Sequence, residues 1–217
     1  MIVLEKGDEA HCGGNSRVCG QGFVAPSPAI WEDYTEYLKR ATTGEGFPQT
    51  DEWIKFFLEE GYKNLEWFEE LGADIWPDAR ELGSWIPFFP HFPGADAVGS
   101  EPTYYNVNPE LGPGRNWYFL DSYIKEQTEV EVMYKTPVKR LIQVPVTREI
   151  IGVVAEQDGK EVFVKARKGV VMCTGGYEYN PDMIREYMHL PVFTTRGTPL
   201  NTGEGIKICM AAGADLR

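Results

Sequence analysis

The segment from Gly169 to Gly176 constrains the fold of this chain more than any other. Four apolar residues, Val170 to Cys173, run directly into Thr-Gly-Gly. An uninterrupted apolar run is typical of a parallel strand that is buried on both faces. Glycines directly after such a strand place accessible backbone at the carboxyl edge of the sheet, where doubly wound α/β folds bind nucleotides. The pattern predicts an α/β fold, although a simple tight turn would also account for the two glycines.

A second short apolar run opens the chain. Ile2-Val3-Leu4 ends in Glu5 and Lys6, which predicts a buried parallel strand with a charged carboxyl edge. In dinucleotide-binding sheets, an acid at the end of the second strand accepts hydrogen bonds from the adenosine ribose hydroxyls. Glu5 is the candidate for that role, and a solvated surface charge is the alternative.

A glycine-rich stretch without helical or alternating periodicity follows. Four glycines lie within the ten residues from Gly13 to Gly22. Glycine lets backbone approach a ligand closely and leaves its N–H groups unobstructed. The stretch therefore predicts a ligand-binding loop, with flexible turns as the alternative.

The first half of the chain otherwise carries helix signals. Ser27 caps a predicted helix that runs to Ala41, and Thr50 caps a longer one that Gly72 ends. A further helix is expected over 116–127, and the proline- and aromatic-rich segment 74–116 is expected to be irregular. The predicted apolar face of the long helix consists of Trp53, Phe56, Phe57, Leu58, Leu65, Trp67 and Phe68.

The second half carries strand signals. Alternating and β-branched runs predict an antiparallel β-meander over about 130–166, with a hairpin turn at Asp158-Gly159. A short helix is expected after Pro181, and a last one over 206–212.

Composition excludes several classes of protein. The 217 residues carry 21 Lys and Arg against 33 Asp and Glu, a net charge of −12, which disfavours binding to nucleic acids or anionic membranes. No apolar run reaches the length of about 18 residues that a membrane span needs. The four cysteines and three histidines lack metal-ligand spacing, so we expect no metal. A chain with this many apolar residues needs no disulfide scaffold, so we expect a reducing, cytoplasmic setting.

Five motifs occur in a fixed order: the strand with Glu-Lys, Gly-Gly-Asn-Ser with Gly-Gln-Gly, the meander, Thr-Gly-Gly, and Asn-Thr-Gly-Glu-Gly. In order and spacing they resemble the FAD-binding domain of the fumarate reductase/succinate dehydrogenase flavoprotein superfamily. That superfamily also contains 3-ketosteroid Δ1-dehydrogenases and urocanate reductases. The resemblance implies a Rossmann-like FAD/NAD(P)-binding domain of the glutathione-reductase type with an antiparallel β-meander, and FAD as the cofactor.

The resemblance also implies roles for individual residues. Glu5 and Lys6 match the ribose-binding pair, Val138 matches the residue whose backbone pairs with adenine, and Glu204 stands where the family usually has Asp. Asn15 stands where membrane-bound succinate dehydrogenases have the histidine that holds FAD covalently, so noncovalent FAD is expected. The cofactor-binding residues implied are Glu5, Lys6, Gly13, Gly14, Asn15, Ser16, Gly20, Gln21, Gly22, Val138, Thr174, Gly175, Gly176, Thr202, Gly203 and Glu204.

The sequence departs from the family at both ends. The family's Gly-x-Gly-x-x-Gly fingerprint, which precedes the Glu-Lys strand, is not in this sequence, so we expect a partial FAD-binding domain over 1–217 without its first strand. The capping region is expected to start at about 180–200. A chain without the fingerprint is expected to retain little or no FAD by itself, because the pyrophosphate loses its main backbone donors.

The resemblance implies hydride transfer between FAD and a carbon–carbon bond next to a carbonyl or carboxylate. A fumarate reductase-like dicarboxylate is the first expectation for the small-molecule substrate. A bulky steroid-like substrate in a pocket from Trp85 to Phe92 is the alternative, and an inert chain without FAD is a third possibility. The electron donor or acceptor is unknown. His91 is a catalytic candidate, with an ordinary loop histidine as the alternative, and Tyr104 and Tyr105 are further candidates, with aromatic packing as the alternative.

Overall fold

The computed structural model describes residues 1–42, 50–78, 89–101, 103–127, 129–191 and 195–216. They form two compact units. The first unit consists of Met1–Cys19 and Asp121–Leu216, and the second of Gly20–Leu120.

The first unit contains two sheets. Strand β1 (Ile2–Leu4) pairs in parallel with β5 (Glu131–Met133), with Leu4 opposite Met133. Three antiparallel strands, β6 (Val138–Gln143), β7 (Ile150–Gln157) and β8 (Lys160–Lys165), form the other sheet in that order. The core of this sheet lies on β7, where three consecutive apolar residues, Val153 to Ala155, are buried.

Three helices complete the first unit. They are α1 (Gly14–Val18), α6 (Pro181–Tyr187) and α7 (Glu204–Ala211). The Asn180 side chain caps α6 by accepting a hydrogen bond from Met183 N at 3.1 Å. Helix α7 packs against β6.

The second unit contains one antiparallel sheet of order β2-β4-β3, formed by β2 (Phe23–Val24), β4 (Thr103–Asn106) and β3 (Ile75–Asp78). Its helices are α2 (Trp31–Ala41), α3 (Asp51–Glu70) and α4 (Ala95–Ser100), and α5 (Arg115–Glu126) contributes residues to both units. Short 3₁₀ segments occupy Pro28–Ile30 and Pro109–Gly114.

The cap signals in the sequence place the helices of this unit correctly. Ser27 Oγ accepts a hydrogen bond from Ala29 N, and Thr50 Oγ1 accepts one from Trp53 N, each at 3.3 Å. Gly72, directly after the end of α3, has a φ of +90°, which a side chain would strain. The predicted helix boundaries therefore hold to within a few residues.

The predicted buried strand over 170–173 is wrong for the described structure. These residues belong to no strand, the Val171 side chain is 86% exposed, and Cys173 is exposed. A strand needs a neighbouring backbone to pair with, and no strand among the described residues pairs with this segment. The apolar run shows that these residues are hydrophobic, but it does not show whether a neighbouring strand is present to pair with them.

Three smaller expectations also change. The meander begins at Val138 instead of about 130, because 131–133 pairs with β1 in the other sheet. The described part of the segment expected to be irregular, 74–116, contains the short elements β3, α4 and β4 and the 3₁₀ segment Pro109–Gly114. On α3, the side chains of Trp53, Phe56, Phe57 and Trp67 are 46–62% exposed, whereas those of Ile54, Leu58 and Phe68 are buried.

Candidate functional site

The carboxyl end of β1 carries the first two candidate residues. Glu5 Oε1 accepts a hydrogen bond from the backbone N–H of Gly7 at 2.6 Å. Lys6 Nζ donates to Thr202 Oγ1 at 2.9 Å and lies 3.0 Å from Glu204 Oε2. Lys6 is therefore in direct contact with two candidate residues at the start of α7, Thr202 and Glu204.

Glu204 is the first residue of α7, after Gly203 in the left-handed conformation with φ +82°. Its carboxylate accepts a hydrogen bond from Thr202 Oγ1 at 2.6 Å. Burial raises the pKa of Glu204, but the hydrogen bonds from Thr202 and Lys6 outweigh burial and hold that pKa below its ordinary value. Glu204 is therefore an anion at neutral pH.

The candidate loop Gly13–Ser16 starts α1 through two glycines with positive φ, Gly13 at +94° and Gly14 at +55°. A Cβ added at Gly14 would meet no atom within 4 Å, so the backbone there faces open space. The Asn15 side chain donates to Glu178 Oε1 at 2.7 Å. Arg17 donates to the carbonyls of Ala10 and Cys12, which holds the preceding turn closed.

The turn at Thr174–Gly176 packs against the loop 201–205. A Cβ on Gly175, whose φ is +68°, would lie too close to the Asn201 amide, and a Cβ on Gly205 would overlap Thr174 Oγ1. Gly203 N donates to Gly176 O at 3.2 Å. These glycines are thus required by the close approach of two loops.

Val138 starts β6 and is partly exposed, opposite Ala155 of β7. The buried Thr136, two residues earlier, donates its backbone N–H to Glu5 O at 2.8 Å. The segment leading to Val138 is therefore attached to the end of β1.

The candidates Gly20, Gln21 and Gly22 belong to the second unit. Gln21 is buried with a φ of +63°, and its Oε1 accepts a hydrogen bond from Trp117 N at 3.2 Å. A Cβ on Gly22 would lie 2.5 Å from Thr103 Cγ2 and 2.9 Å from the Tyr105 ring. Packing against β4 is therefore enough to require a glycine at position 22, whether or not a cofactor binds there.

The catalytic candidates His91, Tyr104 and Tyr105 also lie in the second unit. His91 lines an open cavity of about 560 Å³ together with Asp33 and Asp96, and its ring meets the Phe92 ring edge-on with centroids 4.7 Å apart. Tyr104 packs on Phe23 with ring centroids 5.9 Å apart, and burial raises its pKa. Of the pocket expected from Trp85 to Phe92, residues 85–88 lie outside the described part of the chain.

Glu178 is a residue of this site that sequence reasoning did not single out. It accepts hydrogen bonds from the side chains of Asn15 at 2.7 Å and Asn201 at 2.8 Å. The only signal for it in the sequence is an acid placed two residues after Gly-Gly, which is too common a pattern to indicate a role.

The residues of the first unit fit an FAD dinucleotide. The segments 5–6, 13–16, 174–176 and 202–204 belong to the same compact unit, and Gly14 leaves open space where a planar ring can approach the backbone. Glu5 lies directly after a strand, a position from which a carboxylate can accept hydrogen bonds from ribose hydroxyls. Among the described residues, no group of three or more His, Cys, Asp or Glu is arranged to hold a metal ion.

Comparison with known proteins identifies the family. The family model described as FAD binding domain matches residues 1–217. A 3-oxosteroid 1-dehydrogenase from Comamonas testosteroni is 32% identical over 73 residues, which are 34% of this chain and 13% of that enzyme. The chain therefore belongs to the FAD-binding domain family, whose cofactor is FAD.

Solved structures have the same fold. The 3-ketosteroid Δ1-dehydrogenase from Sterolibacterium denitrificans matches with a TM-score of 0.78 and 20% identity, over 99% of this chain and 50% of that one. A flavocytochrome c3 fumarate reductase matches with a TM-score of 0.71 and 18% identity, over 99% and 36%. The chain thus spans half or less of the length of these relatives. None of the helices in the described ranges combines the length and the apolar character that crossing a membrane requires.

Proposed function

We propose that this chain is the FAD-binding part of an oxidoreductase that acts on a carbon–carbon bond next to a carbonyl or carboxylate. The observation that carries the proposal is the contact between Lys6 and the Thr202–Glu204 segment, which joins two separate FAD-binding motifs within one compact unit. Membership of the FAD-binding domain family supports it.

The chain's own residues have distinct roles in this proposal. Glu5 accepts hydrogen bonds from the adenosine ribose, and its contact with Gly7 N holds the carboxylate in place. Gly13 and Gly14 let the backbone approach the flavin, and the Thr174–Gly176 turn lies against the dinucleotide. When bound, FAD supplies the hydride acceptor or donor. Asn15 offers no nucleophilic nitrogen for a covalent link, so FAD is held noncovalently.

A bulky apolar substrate is the second candidate, as an alternative to a dicarboxylate. Curated relatives that match include 3-oxosteroid 1-dehydrogenases from Comamonas testosteroni and Mycobacterium tuberculosis, the latter 40% identical over 56 residues. The second unit adds exposed aromatic rings at Phe89 and Trp76, which suit apolar ligands better than dicarboxylates.

The test uses the protein expressed from its complete gene and purified without added flavin. We expect a flavin absorption spectrum, and we expect the flavin to be released into the supernatant when the protein is denatured with acid. Turnover is then measured with a 3-oxosteroid and an electron-accepting dye, and separately with fumarate and a reduced dye.

Turnover of either compound supports the reaction class and decides between the two substrates. A protein that contains no flavin and does not take it up when FAD is added contradicts the proposal. Flavin that stays with the denatured polypeptide contradicts only the noncovalent attachment.

A further inference from the structure

The Glu178 carboxylate is the centre of a hydrogen-bond network inside the first unit. It lies between the Gly175-Gly176 turn and α6 in the sequence. Its Oε1 accepts from Asn15 Nδ2 at 2.7 Å and from Asn201 Nδ2 at 2.8 Å. An ionised carboxylate oxygen has two lone pairs and can accept two hydrogen bonds, so Oε1 alone pairs with both amide donors.

The bond to Glu178 fixes the orientation of the Asn15 amide. With Nδ2 directed at the carboxylate, Asn15 Oδ1 points the other way and accepts the backbone N–H of Thr198 at 2.9 Å. Thr198 is buried, and a Cβ on the neighbouring Gly197 would collide with Asn15 Oδ1. Asn15 therefore ties the glycine loop to the segment 197–198, but only in the amide orientation that Glu178 selects.

The second amide joins another pair of loops. Asn201 is buried, and its backbone O accepts from Tyr179 N at 3.0 Å while its side chain donates to Glu178. Gly203 N donates to Gly176 O at 3.2 Å in the same contact. The loop 201–203 is thus held against the turn 175–179 on both sides of Glu178.

The electrostatics of Glu178 agree with this role. Burial raises its pKa, but the hydrogen bonds from Asn201 and Asn15 outweigh burial, so the pKa lies below its ordinary value. Charge-assisted hydrogen bonds of this kind are about twice as strong as neutral ones. A neutral acceptor at this position holds the two amides less firmly.

We propose that Glu178 is a positioning residue that fixes the FAD-binding loop 13–16 against the loops 174–176 and 201–203. The proposal rests on the proposed function for the cofactor that these loops hold. Glu178 acts through Asn15 and Asn201, and it needs no contact with the flavin itself.

The test compares Glu178→Ala with Glu178→Gln in the protein expressed from its complete gene. The Ala variant removes the acceptor, and we expect its affinity for FAD to fall about tenfold or more. We expect hydrogen exchange at the Thr198 amide, measured without FAD, to become about tenfold faster, because Asn15 loses its fixed orientation. Gln keeps an acceptor oxygen, and its values are expected to lie between those of Ala and wild type.

Glu186→Ala is the matched control, since Glu186 is an exposed acid on the adjacent helix α6, and we expect it to leave both measurements unchanged. If Glu178→Ala does not fold, Glu178→Gln takes its place, since it keeps the shape of the side chain and removes the charge that orients Asn15. Wild-type exchange at Thr198 in Glu178→Ala, or in Glu178→Gln in its place, overturns the proposal. Protein that binds no FAD contradicts the proposed function, while the exchange measurement still decides the role of Glu178.

Discussion

Lys6 Nζ lies 3.0 Å from Glu204 Oε2, so the second residue after β1 forms an ion pair with the first residue of α7 across 198 positions of sequence. Thr202 bridges the pair, because its hydroxyl accepts from Lys6 at 2.9 Å and donates to the Glu204 carboxylate. This contact fixes the start of α7 beside the carboxyl edge of the parallel sheet. Two motifs that are far apart in the chain therefore meet at one place.

Glu204→Gln removes the charge from this pair and keeps the shape of the side chain. The side chains of Lys6 and Glu204 are 29% and 56% exposed, so solvent screens the pair and its contribution is small. We expect the free energy of unfolding to fall by about 0.2–1 kcal/mol, measured by urea titration. A double-mutant cycle with Lys6→Met isolates the pair. A coupling energy of zero in that cycle contradicts a stabilising ion pair.

Acid is expected to weaken the first unit through Glu178 and Glu204. Both carboxyls have folded-state pKa values below the ordinary 4.5, so the folded protein binds fewer protons than the unfolded chain. Their contribution to stability is complete above the ordinary value and is lost as the pH falls through the folded-state values. Unfolding titrations over this acidic range check the expectation. The double variant Glu178→Gln/Glu204→Gln is expected to lose less stability on acidification than wild type, and an equal loss contradicts the assignment.

Local signals in the sequence predict the long helices α2 and α3 well, whereas the short helices α1 and α4 lie in segments that were expected to be a loop and irregular. The caps Ser27 and Thr50 and the terminating Gly72 act on residues within one helical turn, so the sequence contains all the information needed. The prediction of a strand over 170–173 is wrong because strand formation is not a local property. It depends on a partner backbone, which an apolar run does not reveal.

The sequence also predicts which segments of the first unit lie at the candidate site, but it does not predict every contact between them. Glycine motifs and the strand-end acid identify the segments that the first unit brings together, because their residue types reflect backbone geometry. The role of Glu178 was not predictable, since it depends on two asparagines 163 and 23 positions away. Sequence spacing alone does not show that these three side chains meet.

Glu5→Gln tests the proposed ribose contact. The substitution keeps the shape and removes the charge, so the charge-assisted bonds to ribose and to Gly7 N weaken. We expect the affinity for FAD to fall by about 1–2 kcal/mol, measured by flavin fluorescence titration of the protein expressed from its complete gene. Glu9→Gln is the control, because Glu9 is exposed and pairs with Lys125. Unchanged affinity in Glu5→Gln contradicts the assignment of Glu5.

Gly22→Ala tests whether packing alone requires this glycine. The added methyl would lie 2.5 Å from Thr103 Cγ2 and 2.9 Å from the Tyr105 ring, so β4 must shift. We expect a loss of about 1–3 kcal/mol in the free energy of unfolding, measured in the absence of FAD. Gly20→Ala is matched to it, since its methyl would meet no atom within 4 Å, and we expect a change within about 1 kcal/mol. Equal stability of the two variants contradicts the packing argument.

Helix α3 has one buried face and one exposed face. Leu58 is 1% exposed and packs with Ile54 and Tyr34, whereas the Trp53 side chain is 62% exposed. We expect Leu58→Ala to lower the free energy of unfolding by about 2–5 kcal/mol, because it leaves a cavity in the core of the second unit. Trp53→Ala removes a larger side chain, yet we expect a loss below about 1 kcal/mol, since most of that side chain is already in water. Urea titrations of the two variants compare them directly, and a larger loss for Trp53→Ala would show that the aromatic face of α3 is buried in the native protein.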